Sequence, residues 1–230
     1  MVDSQSSILP RRTFADAASF ESAWKAGGGI GEPPAEIALR VAKGLAPERF
    51  RLFHNGGLPR LDRRRDALRE EIVFAPRPGG GFAVRLHLNH DGVGEVREKF
   101  WRPATRAPQT VASGDIGLLE HPPVRSIWDA RTPALASEAL LERIREDVLP
   151  WLAVFEDPET LQETLLANTL PLVDVSTALE LILAEFGVRE ARRFLRARID
   201  LPIPLGSAIQ NRGFDLDTDR VPAIAAYYGL

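Results

Sequence analysis

Two alternating apolar runs, Glu71-Ile72-Val73-Phe74 and Phe82-Ala83-Val84-Arg85-Leu86-His87-Leu88, flank the loop Pro76-Arg77-Pro78-Gly79-Gly80-Gly81. No other feature of the 230-residue chain restricts its fold as much. Proline and glycine break regular structure between the runs, so the two segments are expected to return on each other as an antiparallel hairpin. In the second run Phe82, Val84, Leu86 and Leu88 share one face, and Ala83, Arg85, His87 and Asn89 share the other. Side chains alternate along a strand, which predicts a sheet with one core face and one polar face.

Helical spacing appears on both sides of this hairpin. Phe14 to Ala26 reads as a short amphipathic helix stopped by Gly27-Gly28-Gly29, and Pro33-Pro34 and Gly44 bracket a second around Ile37, Leu39 and Val41. Phe50 to Phe53 reads as a strand running into a turn at His54-Asn55-Gly56-Gly57. Leu118-Leu119-Glu120 and Val124 to Trp128 add short strands, broken by His121-Pro122-Pro123.

From Pro133 onward Leu135, Leu140, Leu141, Ile144 and Val148 recur at helical spacing, and Pro150 is expected to bend or restart that helix before Trp151, Leu152 and Phe155. Asp157-Pro158-Glu159 opens another helix, and Ser176 to Phe186 and Val188 to Ile199 give two more, parted at Gly187. Alternating prolines force Leu201 to Leu205 to be extended, as a strap. A final helix is expected over Val221 to Tyr228, capped by Thr218 or Asp219, with Pro222 in its first turn. The expected class is α+β: a one-sided antiparallel sheet packed by helices, with a mostly helical C-terminal region. Residues 1–132 form the α+β part and 133–230 the helical part docked on it, as two domains or as one.

The absence of cysteine excludes disulfides, thiolate zinc sites and cysteine nucleophiles. Met1 to Pro10 is polar and serine-rich, without the apolar run of a secretory signal, and no stretch reaches the roughly 18 apolar residues of a spanning helix. A cytoplasmic location and no membrane partner are therefore expected. A net charge of −3 opposes a main role in gripping nucleic-acid phosphates, so no nucleic-acid partner is expected. Gly27 to Gly31 follows a helix and lacks the lysine and hydroxyl of a phosphate loop, and no cofactor fingerprint appears elsewhere.

Chemistry could reside in two histidines and in two arginine groups. His87 and His90, with Asp91 beside them, are residue types that bind metal or activate water, but residues three apart on a strand point to opposite faces. No metal site is expected from that spacing. Asp215, Asp217 and Asp219 resemble a calcium loop, but Arg220 and Ala226 stand where its glycine and bidentate glutamate belong. Arg60, Arg63, Arg64, Arg65 and Arg69 cluster in one segment, while Arg189, Arg192, Arg193 and Arg196 share one helix face. Either group could grip an anion. The stretch Glu138 to Glu185 carries eleven acids against two arginines, so the arginines of the helix at 188–199 are expected to face those acidic helices or a partner subunit.

Glu71 to Phe74 leading into Phe82 to Asn89, then a strand at Trp128, then Val148-Leu149-Pro150-Trp151-Leu152 with Phe155, together resemble a bacterial domain-of-unknown-function family of the 4304 series, over residues 70–161. The resemblance implies an α+β fold and brings no catalytic residue or cofactor.

With no catalytic constellation in view, the chain is expected to be a non-catalytic binding or accessory protein that recognises a protein partner, a second copy of itself or a small anionic ligand. Arg85, His87, Arg189, Arg192, Arg193 and Arg196 are the candidate binding residues. The rival expectation is a hydrolase using His87 and His90 with metal or water.

Overall fold

In the computed structural model the described residues are 12–13, 33–54, 58–77, 81–100, 109–120, 123, 126–199 and 216–230. The expected helix at 14–26 and the strap at 201–205 lie outside them, as do the turn residues 55–57 and Val124-Arg125. Strands β1 (Arg12–Thr13), β2 (Arg51–His54), β3 (Pro59–Arg65), β4 (Leu68–Pro76), β5 (Gly81–His90) and β6 (Thr110–Asp115) form an open antiparallel sheet in that order. A short β7 (Trp128–Asp129) pairs antiparallel with the start of β5, Phe82 opposite Trp128. The helices are α1 (Pro33–Gly44), α2 (Asp91–Phe100), α3 (Pro133–Arg143), α4 (Leu149–Ala153), α5 (Pro158–Ala167), α6 (Val175–Glu185), α7 (Gly187–Ile199) and α8 (Leu216–Tyr228). Among the described residues no helix is long and apolar enough to cross a membrane.

The hairpin forms as its sequence demands. In β4, Leu68, Glu70, Ile72 and Phe74 are buried, and in β5, Phe82, Val84, Leu86, Leu88 and His90 are buried while Arg85 is exposed. The sheet is one-sided, and the Phe74 and Phe82 rings stack on the core face with centroids 6.3 Å apart. The strand runs on past Leu88, and His90 is its buried last residue.

Two compact units divide the chain, and they interleave in sequence. The first comprises Met1–Arg65, Arg69–His87 and Gly114–Leu149; the second comprises Asp66–Leu68, Leu88–Ser113 and Pro150–Leu230. The boundary drawn from sequence at 132/133 falls inside the first.

Within the first unit α1 packs on β2, β3 and α3, burying Ile37, Ala38, Val41 and Leu45. At Gly44 the end of α1 passes close to Leu141, whose terminal methyls would have to shift to admit a Cβ 2.6 Å away. The segment 118–120, expected as strand, instead belongs to a 3-10 turn over Ile116–Leu119, whose start is capped by Asp115 accepting from the Gly117 N–H. The bend expected at Pro150 is resolved by a π turn over Ile144–Val148, where the Leu149 N–H reaches back to the Ile144 carbonyl. Proline offers no N–H, and widening the preceding turn lets helix continue past it.

Within the second unit α6 is the central helix, packed by α2, α5, α7 and α8, and every residue from Ser176 to Leu183 is buried. Asp157 and Asp174 cap α5 and α6 by accepting from the backbone N–H groups of Glu159 and Thr177. Such caps typically contribute about 1 kcal/mol each. Gly187 adopts φ of +78°, the left-handed conformation that lets α7 follow α6 after a sharp change of direction. The last helix begins at Leu216 rather than Val221, which leaves Pro222 inside it instead of in its first turn.

Candidate functional site

In the first unit a cleft of about 1270 Å³ lies between the end of α1, the 45–50 loop and the β2–β3 edge. Seven cations line it (Lys43, Arg49, Arg51, Arg63, Arg64, Arg65 and Arg69) against two carboxylates, Glu48 and Asp62. That surplus gives the cleft a positive field, which low-dielectric walls concentrate.

Local structure sets these groups in place. The Leu45 turn after α1 carries Arg49 in the left-handed region, φ of +64°, before the chain enters β2. A non-glycine residue there is strained by roughly 1–2 kcal/mol, and such strain concentrates at binding and catalytic sites. Arg49 and Arg51 are both exposed, and among the described residues no acid pairs with either.

Beneath them Glu70 is wholly buried on the core face of β4. It accepts from the Arg63 guanidinium, and from Arg65 Nη2 at 2.5 Å. Arg63 also lies over the Phe50 ring, 4.4 Å from its centroid, and donates to the Glu48 carbonyl at 3.2 Å. Two guanidinia are thereby held rigid by one carboxylate, and the group keeps a net positive charge. Fixed, charge-assisted bonds of this kind present the remaining guanidinium surface in one orientation.

On the polar face a second network runs from Asp62 to Arg69 (3.1 Å), to Glu71 (2.8 Å), and from Glu71 toward Arg60 (3.8 Å). Arg60 in turn lies 5.6 Å from the Phe53 centroid. Burial opposes the Arg69 charge, but the hydrogen bond to Asp62 and the charges of Asp62 and Glu71 outweigh it and hold the guanidinium above its ordinary range. His87 stands half-buried on this face, where burial, seconded by Arg85 and opposed by Glu71, pushes its pKa down. At neutral pH it is therefore an uncharged neighbour of the network.

The structure places the expected site residues in two units. Arg85 and His87 lie on the polar face of β5 in the first unit and do not line the cleft; Arg189, Arg192, Arg193 and Arg196 lie on α7 in the second. The partners of Arg189, Arg192 and Arg193 lie outside the acidic helices. Arg189 and Arg193 pair with Glu190 of their own helix at 3.2 and 3.5 Å, and Arg192 donates to the Gly229 carbonyl at 2.9 Å. The reason is the period of α7: Ala191 and Phe194 turn inward, which sends the arginines to the opposite side. The lining cations Lys43, Arg49 and Arg51 escaped the sequence reading, since they are scattered over a helix end, a loop and a strand.

His87 and His90 do not form one site. His90 is buried on the other face of β5, its Nδ1 accepting from the Val93 N–H at 3.4 Å and its Nε2 donating to Glu185 at 2.9 Å. It caps α2, and both ring nitrogens are engaged. Among the described residues no group of three or more histidine, aspartate or glutamate side chains could hold a metal ion.

The His90 hydrogen bond, acting against burial, lowers the Glu185 pKa. A carboxyl depressed in the folded state stabilises the fold above its unfolded pKa of about 4.3, and that contribution is lost as pH falls through the lower folded value. Glu185→Gln is accordingly expected to lower the melting temperature near neutral pH, with the gap from the wild type closing in acid. Melting curves across pH that stay parallel into acid would refute this assignment.

Compared with protein-family models, with curated proteins and with solved structures, the chain matches none.

Proposed function

We propose that this chain is a cytoplasmic, non-catalytic binding protein whose first unit holds an anionic ligand in the arginine-lined cleft. One observation carries the reading: seven cations against two carboxylates line the cleft, two of the cations being braced on the buried Glu70. A structural explanation accounts for Arg63 and Arg65, which neutralise Glu70, and for Arg69, which serves Asp62 and Glu71. It does not account for Arg49 and Arg51, which stand exposed at the mouth. The likeness of residues 70–161 to the 4304-series family is part of the same reading and adds no catalytic group.

Titration calorimetry with sulfate, phosphate, citrate and tripolyphosphate at low salt tests the reading. Wild-type protein is expected to bind at least one of these anions. The double variant Arg49→Glu with Arg51→Glu is expected to weaken binding by about tenfold or more, a difference of about 1.4 kcal/mol. The matching reversal on α7, Arg189→Glu with Arg193→Glu, is expected to leave it unchanged. No binding by the wild type, or equal loss in both variants, would defeat the cleft as the site.

A further inference from the structure

We propose that the arginine face of α7 docks on the acidic face of α3 in a second copy of this chain. The helical period builds the first face. Ala191 and Phe194 turn inward, so Arg189, Arg192, Arg193 and Arg196 line one outward groove, with Glu190 as the carboxylate among them. Glu190 meets Arg189 and Arg193, yet their side chains stay 93% and 69% exposed. Four arginines against one glutamate leave the groove strongly positive, and among the described residues no acid pairs with Arg192 or Arg196.

The opposite face arises on α3 by the same rule. Ala136, Leu140 and Ile144 turn inward, which leaves Glu138, Glu142 and Glu146 exposed around a groove that also includes Leu141 and Arg145. Glu146 lies in the π turn that continues α3. Arg145 donates to the Gly44 carbonyl at 2.8 Å, and among the described residues no cation pairs with Glu138 or Glu142. Like charges three or four residues apart destabilise a helix. Each face carries such a stripe, and bringing the two together relieves both.

Spacing fits the faces antiparallel. Four residues of helix rise about 6 Å, so Arg196 and Arg192 of one copy match Glu138 and Glu142 of the other, with Arg189 next in line for Glu146. A guanidinium fork holds a carboxylate through two parallel bonds, which fixes the orientation of each pair. Exposed ion pairs contribute little singly, but a complementary row sets the register and speeds encounter. Leu135, 66% exposed one turn before Glu138, adds an apolar contact at the end of that face. Both halves of the match are carried by one sequence, and this commits the partner to a second copy.

Sedimentation velocity on the full chain tests the contact. The wild type is expected to associate as its concentration rises, and the association should weaken by about tenfold or more between about 50 and 300 mM salt. Glu138→Arg with Glu142→Arg, and Arg192→Glu with Arg196→Glu, should each sediment as a monomer, because like charges then face each other. An equimolar mixture of these two variants should associate again, since every contact between unlike copies is once more complementary. Melting temperatures guard against misfolding, and the neutral pair Arg192→Gln with Arg196→Gln, expected to weaken association about tenfold, gives a second route. A wild type that stays monomeric at every concentration would overturn the proposal, as would reversed variants that associate like the wild type or a mixture of folded variants that remains monomeric. Loss of association on reversing α7 alone, with the α3 reversal without effect, would overturn α3 as the partner and point to another acidic surface.

Discussion

Glu180→Gln is expected to lower the melting temperature by about 10 °C. Glu180 lies on α6 with no exposed surface, and its Oε2 accepts from Arg97 Nε and Nη2 at 2.9 and 2.6 Å and from Arg220 Nη2 at 2.5 Å. One carboxylate thus anchors α2 and α8 to the central helix of the second unit. Removing its charge leaves Arg97, itself 4% exposed, in the interior without that carboxylate. Breaking a buried pair from one side typically costs about 3–5 kcal/mol, and each kcal/mol moves the midpoint of a chain this size by about 2–4 °C. The companion experiment replaces all three residues by leucine. Swapping buried charges for apolar groups of similar volume is often neutral, so the triple variant should recover much of the loss. A melting point for Glu180→Gln within about 2 °C of the wild type would show that the charge anchors nothing.

Leu86→Asp should abolish soluble expression, whereas Arg85→Asp at the next position should be tolerated within about 1 kcal/mol. Leu86 is fully buried on the core face of β5 and Arg85 is exposed on the other. An aspartate at 86 either carries an unpaired charge into the core or takes up a proton and loses its water, at a cost of several kcal/mol added to the lost packing. The pair tests the alternation of the strand directly. Comparable yield and melting temperature for the two variants would mean that the faces are assigned wrongly.

Patterns that repeat within a few residues were legible. Strand alternation from Phe82 to Leu88, the helix opened at Asp157-Pro158 and the break at Gly187 all depend on contacts between near neighbours. Where the local pattern was confused, the elements were missed. Arg63-Arg64-Arg65 hides the alternation of β3, because Arg63 and Arg65 occupy the core side that an apolar residue would normally mark. They can do so only because Glu70 meets them there. Helix α2 is short and carries two glycines, Gly92 and Gly94, in its first turn, and its capping group is a histidine on the preceding strand, which no capping signature includes.

The sequence by itself determined the class of fold, the core face of the hairpin and the exclusion of cysteine chemistry, since each follows from residue type and short-range periodicity. Only the tertiary structure decided which charges meet. Glu180 and Arg97 stand 83 positions apart in the chain, and Arg63 and Glu70 become neighbours through a hairpin. Charge interactions act through space over a few ångströms, so a count of acids and arginines along the chain does not show that Arg189 and Arg193 pair with Glu190 of their own helix, while Ala191 and Phe194 turn inward. The same packing logic gathers Lys43, Arg49, Arg51 and the β3 arginines from separate elements around one cleft, and no local spacing announces it.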